Sequence, residues 1–160
     1  MTKQIDEIEI LDCDFSNPDH LKSLVELINA YITDDMGGGT PLSPIQQLRF
    51  VDGLNNHPTK IILLAAVEGK AAGMIVAFEN FSTFTARPMV NIHDIIVKPE
   101  FRKQGIGRKL MEAIEERARE LRCSRITLEV REDNKVAQEL YKSIGFDETE
   151  PPMYYWRKYL

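Results

Sequence analysis

The stretch most able to do chemistry runs from Val97 to Lys109, Val-Lys-Pro-Glu-Phe-Arg-Lys-Gln-Gly-Ile-Gly-Arg-Lys. An apolar run ends at Val97-Lys98-Pro99, a basic segment follows, and Gly105 and Gly107 open a helical pattern. The first amides of a helix have no partner inside it. They sit at the positive end of the helix dipole and form a ready site for an anion. Glycine at the entry lets a phosphate come close to the backbone. From Lys98 to Lys109 there are five basic residues against one acidic, in a chain whose net charge is −5. Positive charge concentrated at one helix start suits a diphosphate. A solvated basic turn with a glycine entry is the plainer reading of the same letters.

Two other phosphate-binding patterns can be tested on the residues. A P-loop needs a Gly-Lys-Ser/Thr ending, and Gly37-Gly38-Gly39 is followed by Thr40, not lysine. A dinucleotide fingerprint starting at Gly105 has Leu110 in place of its third glycine. Seven residues also separate Val97 from Gly105, where that fingerprint begins at the strand end. Glu129 does lie near the distance expected of a ribose contact, so a nicotinamide-binding enzyme stays a third reading.

Arg102-x-x-Gly105-x-Gly107 resembles the Q/R-x-x-G-x-G/A signature of the GNAT acetyltransferases. The resemblance extends upstream through Ile92-His93-Asp94-Ile95-Ile96-Val97-Lys98-Pro99. It continues downstream in Asn134-x-x-Ala137-x-x-x-Tyr141-x-x-x-Gly145-Phe146, which is similar to the family's second landmark. The match covers roughly Ala65 to Phe146. Phe81-Ser82-Thr83-Phe84 adds a likeness to the small-amine acetyltransferases of polyamine type.

The resemblance implies an acetyl-CoA-dependent N-acetyltransferase in which an amine attacks the thioester directly. Backbone groups of Ile95, Ile96 and Val97 are then expected to hold the pantetheine arm. Arg102 belongs to the signature, and the amides of Lys103, Gln104, Gly105, Ile106, Gly107 and Arg108 are expected to hold the diphosphate. Asn134 is expected to contact the cofactor, though asparagine also suits a plain N-cap. Tyr141 is the expected general acid, with a core tyrosine as the alternative because it shares a face with Leu140 and Ile144. His93 is the best candidate base, since its ordinary pKa of about 6.5 suits removal of an amine proton. It stands where the small-amine enzymes often carry glutamate, and a water chain is the alternative. Strict strand alternation puts His93 on the face of Asn91, Ile95 and Val97, and Asp94 on the other. Asp94 can orient a neighbour or bond backbone amides. Asp34, Asp35 and Glu79 can attract a cationic acceptor, or can simply be solvated carboxylates. His20 and His57 read as surface residues. A GNAT fold that binds acyl-CoA without turnover is the second function class.

These residues need a frame to hold them. Ile5 to Leu11 alternates as a strand. Asn17-Pro18 starts a helix with Leu21, Leu24, Val25, Ile28 and Ile32 on one face. The glycines at 37–39 end it and suggest a mobile segment, a lid over an acceptor. Ser43-Pro44 starts a second helix. Ile61 to Val67 and Ala71 to Phe78 read as a hairpin about Glu68-Gly69, followed by a loop from Glu79 to Pro88 and a strand from Met89 to Val97. A helix spans Gly105 to Leu121, a strand Ile126 to Val130 and a helix Asn134 to Ile144 with Gly145 at its end. Phe146 and Met153 to Tyr159 read as final strands. The expected fold is a mixed α/β sheet of GNAT type, mostly antiparallel with one parallel splayed pair, flanked by four helices in a single domain over residues 1–160.

Composition narrows the setting. Of the residues, 43% are hydrophobic and 28% charged, ordinary for a globular protein. The negative balance argues against nucleic acid as a partner. Cys13 and Cys123 match no metal spacing and read as reduced thiols of a cytoplasmic protein. Residues 1–7 show no apolar leader, and no run is long enough to span a bilayer. No metal site is expected. Family resemblance makes a homodimer an expectation.

Overall fold

The computed structural model describes residues 7–160; Ile5, the first residue of the expected opening strand, lies outside them. The chain divides into two compact units, Met1–Glu129 and Val130–Leu160.

The first unit is a five-stranded sheet in the order β1-β2-β3-β4-β5. Its strands are β1 (Ile8–Asp12), β2 (Lys60–Val67), β3 (Lys70–Ser82), β4 (Arg87–Val97) and β5 (Ile126–Leu128). The first four pair antiparallel, and β5 joins β4 in parallel. Helices α1 (Pro18–Thr33) and α2 (Pro44–Asn56) cover one face, and α3 (Ile106–Glu120) covers the other. Leu24, Leu27, Ile28 and Leu54 form one core with Ile62, Leu64, Met74, Val76 and Ile96. On the opposite face α3 buries Ile106, Leu110, Met111, Ile114 and Ala118. Covering on both faces explains why β2 and the first half of β3 are apolar without alternation.

Local chemistry sets the helix ends. The Asn17 side chain accepts from the Asp19 amide and caps α1. Ser43 and Gln46 form a reciprocal capping box at α2. The glycines at 37–39 fold back onto the end of α1. The amides of Gly37 and Gly38 return to the Asp34 carbonyl and that of Gly39 to the Ile32 carbonyl. A β-carbon on Gly37 would stand 2.0 Å from the Tyr31 carbonyl oxygen, so only glycine lets the chain fold back so closely.

Two expected boundaries change. The loop expected from Glu79 to Pro88 is mostly hairpin, because Glu79 to Ser82 pair with Val90 to Arg87 and only residues 83–86 turn. Polar residues such as Asn80 and Ser82 look like a loop in sequence, yet pairing with Met89 and Arg87 overrides their weak strand preference. The final strands are also absent among the described residues. In the second unit α4 (Lys135–Ser143) is followed by residues 144–160 with no regular secondary structure. Tyr154, Tyr155, Trp156 and Tyr159 are strand-forming types, but all are exposed. Strand propensity is realised only when a partner strand takes the backbone hydrogen bonds.

Candidate active site

The site in the first unit is built where β4 outruns its neighbour. β4 pairs with β5 only through Val90, Asn91 and Ile92. Beyond Ile92 it stays paired with β3 through Val97, while among the described residues no strand pairs with its other edge. The main chain of residues 93–97, which includes Ile95, Ile96 and Val97, therefore presents an open edge able to bond an extended ligand.

That edge leads directly into the glycine segment. A 3₁₀ turn at Pro99–Phe101 carries the chain off the strand. The Phe101 amide donates to the Lys98 carbonyl and the Arg102 amide to that of Pro99. From there the partners stop. No amide from Lys103 to Gly107 donates to an acceptor among the described residues. The Lys109 amide resumes the pattern by donating to Gly105. Lys103 and Gly105 both have positive φ, 61° and 84°, the alternating backbone that gathers amides into an anion nest. A β-carbon on Gly105 would meet nothing within 4 Å, so the entry is open space. Lys103, Gln104, Gly105 and Arg108 are exposed. Five donors at a helix start, with cationic side chains beside them, fit the diphosphate of a coenzyme.

Arg102 does something different from its neighbours. Its Nε donates to the Val97 carbonyl at 3.0 Å, and its guanidinium reaches the Asp34 carboxylate at 2.6 Å. It thus ties the end of β4 to the end of α1. The Arg102 hydrogen bond, and after it the Met36 amide, hold the Asp34 carboxyl below the usual carboxylate range. Lys98 makes a second link to α1 through Glu26.

The acids expected to draw an amine are not gathered in one place. Asp34 is held by Arg102, which precedes α3. Glu79 lies near Cys123, which follows α3. The 15-residue helix between them is about 22 Å long at 1.5 Å per residue. Asp35 is exposed.

His93 and Asp94 depart from simple alternation. Val76 pairs with Asp94 and Ala77 with Ile92, so His93 is an extra residue, a β-bulge. Cross-strand partners share a face. Asn91 pairs with Phe78, which packs on the core beneath α1 and α2. Ile95 pairs with Ile75 and Val97 with Gly73, whose missing side chain faces Ile106 and Leu110 of α3. Asn91 and Ile95 are therefore on opposite faces, and Asp94 joins the α1/α2 face through Val76. His93 meets the Phe78 ring edge-on at 5.9 Å, and its Nδ1 is 3.5 Å from Asp94 Oδ2. The bulge brings both to one face, against the alternation expected from sequence. Burial raises the Asp94 pKa, and the neighbouring imidazole partly opposes this. His57 is half-buried with its ring 4.3 Å from Phe78, and His20 accepts the Asp14 amide. Phe78, the shared platform of two histidines, was not singled out in the sequence. Its only signal was a large aromatic at the end of an apolar strand.

In the second unit the spacing Tyr141-x-x-x-Gly145-Phe146 is a helix stop. The Phe146 amide donates to the Tyr141 carbonyl at 3.0 Å and the Gly145 amide to the Lys142 carbonyl at 3.2 Å. Gly145 has φ 97°, and the Phe146 ring rests 5.9 Å from that of Tyr141. This is a Schellman ending with its apolar contact. Asn134 caps the same helix by accepting from the Ala137 amide. Tyr141 itself is buried, at 8% exposure.

Neither cysteine is in a disulfide. Burial, with help from Asp14, pushes the Cys13 thiol up to about 11, which keeps it protonated and unreactive at neutral pH. Among the described residues no cluster of ligating side chains could hold a metal, and no helix is long and apolar enough to cross a membrane.

Comparison with known proteins completes the picture. The model of the acetyltransferase (GNAT) family matches residues 22–146. The chain is 35% identical over 102 residues to thialysine N-ε-acetyltransferase of Bos taurus, a match covering 59% of each protein. It thus spans less than two thirds of that relative's length. A probable acetyltransferase of known structure superposes with a TM-score of 0.79 at 24% identity, covering 96% of this chain and 98% of the other. An aminoglycoside N-acetyltransferase in complex with CoA gives 0.77 at 19% identity, covering 99% and 98%. At these identities the two structures speak for the fold.

Proposed function

The chain belongs to the acetyltransferase (GNAT) family, and from that premise we propose that it acetylates a primary amine of a small molecule or peptide by direct attack on acetyl-CoA. The observation that carries this reading is the run of unpartnered amides from Lys103 to Gly107 beside the open edge of β4. The coenzyme supplies an activated acyl thioester.

The amides of Lys103 to Gly107, with Arg108 beside them, hold the diphosphate. The main chain of Ile95, Ile96 and Val97 binds the pantetheine arm and so aligns the thioester with the acceptor, which makes a bimolecular step local. Arg102 keeps the Val97 carbonyl in place. His93 takes the amine proton at its imidazole, and Tyr141 gives a proton from its hydroxyl to the leaving sulfur. Asn134 contacts the cofactor while capping α4. A small amine as acceptor is supported by relatives whose names specify thialysine and aminoglycosides. Asp34 is neutralised by Arg102, so Asp35, Glu79 and Asp94 are the acids left to act on a cationic acceptor. Residues 1–160 work as one catalytic domain, cytoplasmic and homodimeric, with neither nucleic acid nor membrane as partner.

The test is thiol release from acetyl-CoA across a panel of polyamines, amino acids and aminoglycosides. We expect release with at least one amine. Tight coenzyme binding with no release for any acceptor would instead identify a non-catalytic binding module.

A further inference from the structure

We infer that the β-bulge in β4 builds a histidine–carboxylate pair in which Asp94 is the positioning residue for His93; the inference rests on the assignment of His93 as the base. An unbulged strand would send neighbouring side chains to opposite faces. Here the extra residue sets both on the α1/α2 face, with Nδ1 of His93 3.5 Å from Oδ2 of Asp94. The two side chains differ in exposure, 66% for His93 and 21% for Asp94. The carboxylate is anchored in the protein while the imidazole reaches outward.

Phe78 completes the arrangement. Its ring stands nearly perpendicular to that of His93, with centroids 5.9 Å apart, and lies 4.3 Å from the ring of His57. The imidazole is thus confined by an aromatic edge and a carboxylate. Asp94 holds the Nδ1 side, so Nε2 is the nitrogen presented to an incoming amine. When Nε2 takes the amine's proton the imidazole becomes cationic, and the adjacent carboxylate favours that state. No bond is made or broken within the pair, and the proton resides on His93.

Among the described residues, Asp94 is the one side chain within ion-pair distance of His93. On α1, Glu26 is engaged by Lys98, and beyond that helix Asp34 is engaged by Arg102. Lys60, near α2, donates to the carbonyls of Asn55 and His57. His57 lies against the Phe78 ring. From β5 the facing group is Thr127, which accepts from Asn91.

The experiment titrates the His93 imidazole by NMR and measures the pH dependence of kcat/KM, in the wild-type protein and in Asp94→Asn and Asp94→Glu. Removing the carboxylate takes a favourable charge away from the imidazolium, so the His93 resonances titrate at lower pH in Asp94→Asn than in the wild type. The acid limb of the rate profile moves to lower pH by the same amount. Asp94→Glu restores part of both, and coenzyme affinity stays within about twofold in each variant, a change of less than half a kcal/mol. A His93 pKa unmoved by Asp94→Asn overturns the pair. A pKa that moves while the acid limb stays fixed leaves the pair standing but removes His93 as base, and with it the catalytic role inferred here.

Discussion

Two single residues carry different kinds of consequence. Tyr141 is buried against Phe146, so replacing its hydroxyl alone leaves the packing nearly unchanged. We predict that Tyr141→Phe lowers kcat about a hundredfold or more, as general acids contribute, with coenzyme affinity retained; steady-state kinetics and calorimetry check both. Arg102 acts through structure. Its partner Asp34 has a folded-state pKa below the ordinary carboxylate value. The pair's stabilisation is therefore complete above the unfolded pKa of about 3.9 and fades as pH falls through the lower folded value. Arg102→Ala is expected to cost about 1 kcal/mol near neutrality. Denaturant titrations from pH 7 downward follow the gap between variant and wild type, which closes as Asp34 protonates. A gap independent of pH would assign the loss to packing.

At the scale of elements, the helix boundaries were legible because capping chemistry is local. Asn17, Ser43-Pro44, Gly105, Asn134 and Gly145 all mark ends where the sequence places them. The bulge was harder to read. Apolar residues fall at Val90 and Ile92, and then the phase shifts to Ile95 and Ile96 across His93 and Asp94. That shift was the available signal, and assuming an unbroken period of two hid it. The hairpin between Glu79 and Pro88 is hidden for a related reason: Ser82, its buried residue, is not apolar, so no apolar alternation marks the strand. Gly145 offers a test of the helix stop. Its φ of 97° penalises any side chain, so Gly145→Ala is predicted to cost about 1–2 kcal/mol and to lower the melting temperature. A neutral result would show that the Schellman ending is dispensable.

At the scale of the whole molecule, element order and the glycine landmarks made the mixed sheet and its parallel pair readable. The fate of the last segment was not. Residues 153–160 are rich in aromatics, yet whether such a segment becomes a strand depends on a partner backbone and not on its own letters. The acidic total charge likewise concealed a basic helix entry, because net charge averages over surfaces that act separately. A substitution within that entry reads out the division. Gly107→Asp places a negative charge among the amide donors, and we predict about a tenfold or greater loss of coenzyme affinity, near 1.4 kcal/mol, with an unchanged melting temperature of the free protein.

The most direct measurement is amide chemical-shift mapping of the protein during titration with coenzyme A, repeated with inorganic pyrophosphate. The account predicts that the amides of Lys103 to Gly107 shift most among those at helix starts, and that pyrophosphate alone moves the same five. Saturable coenzyme binding that leaves those five resonances in place would contradict it.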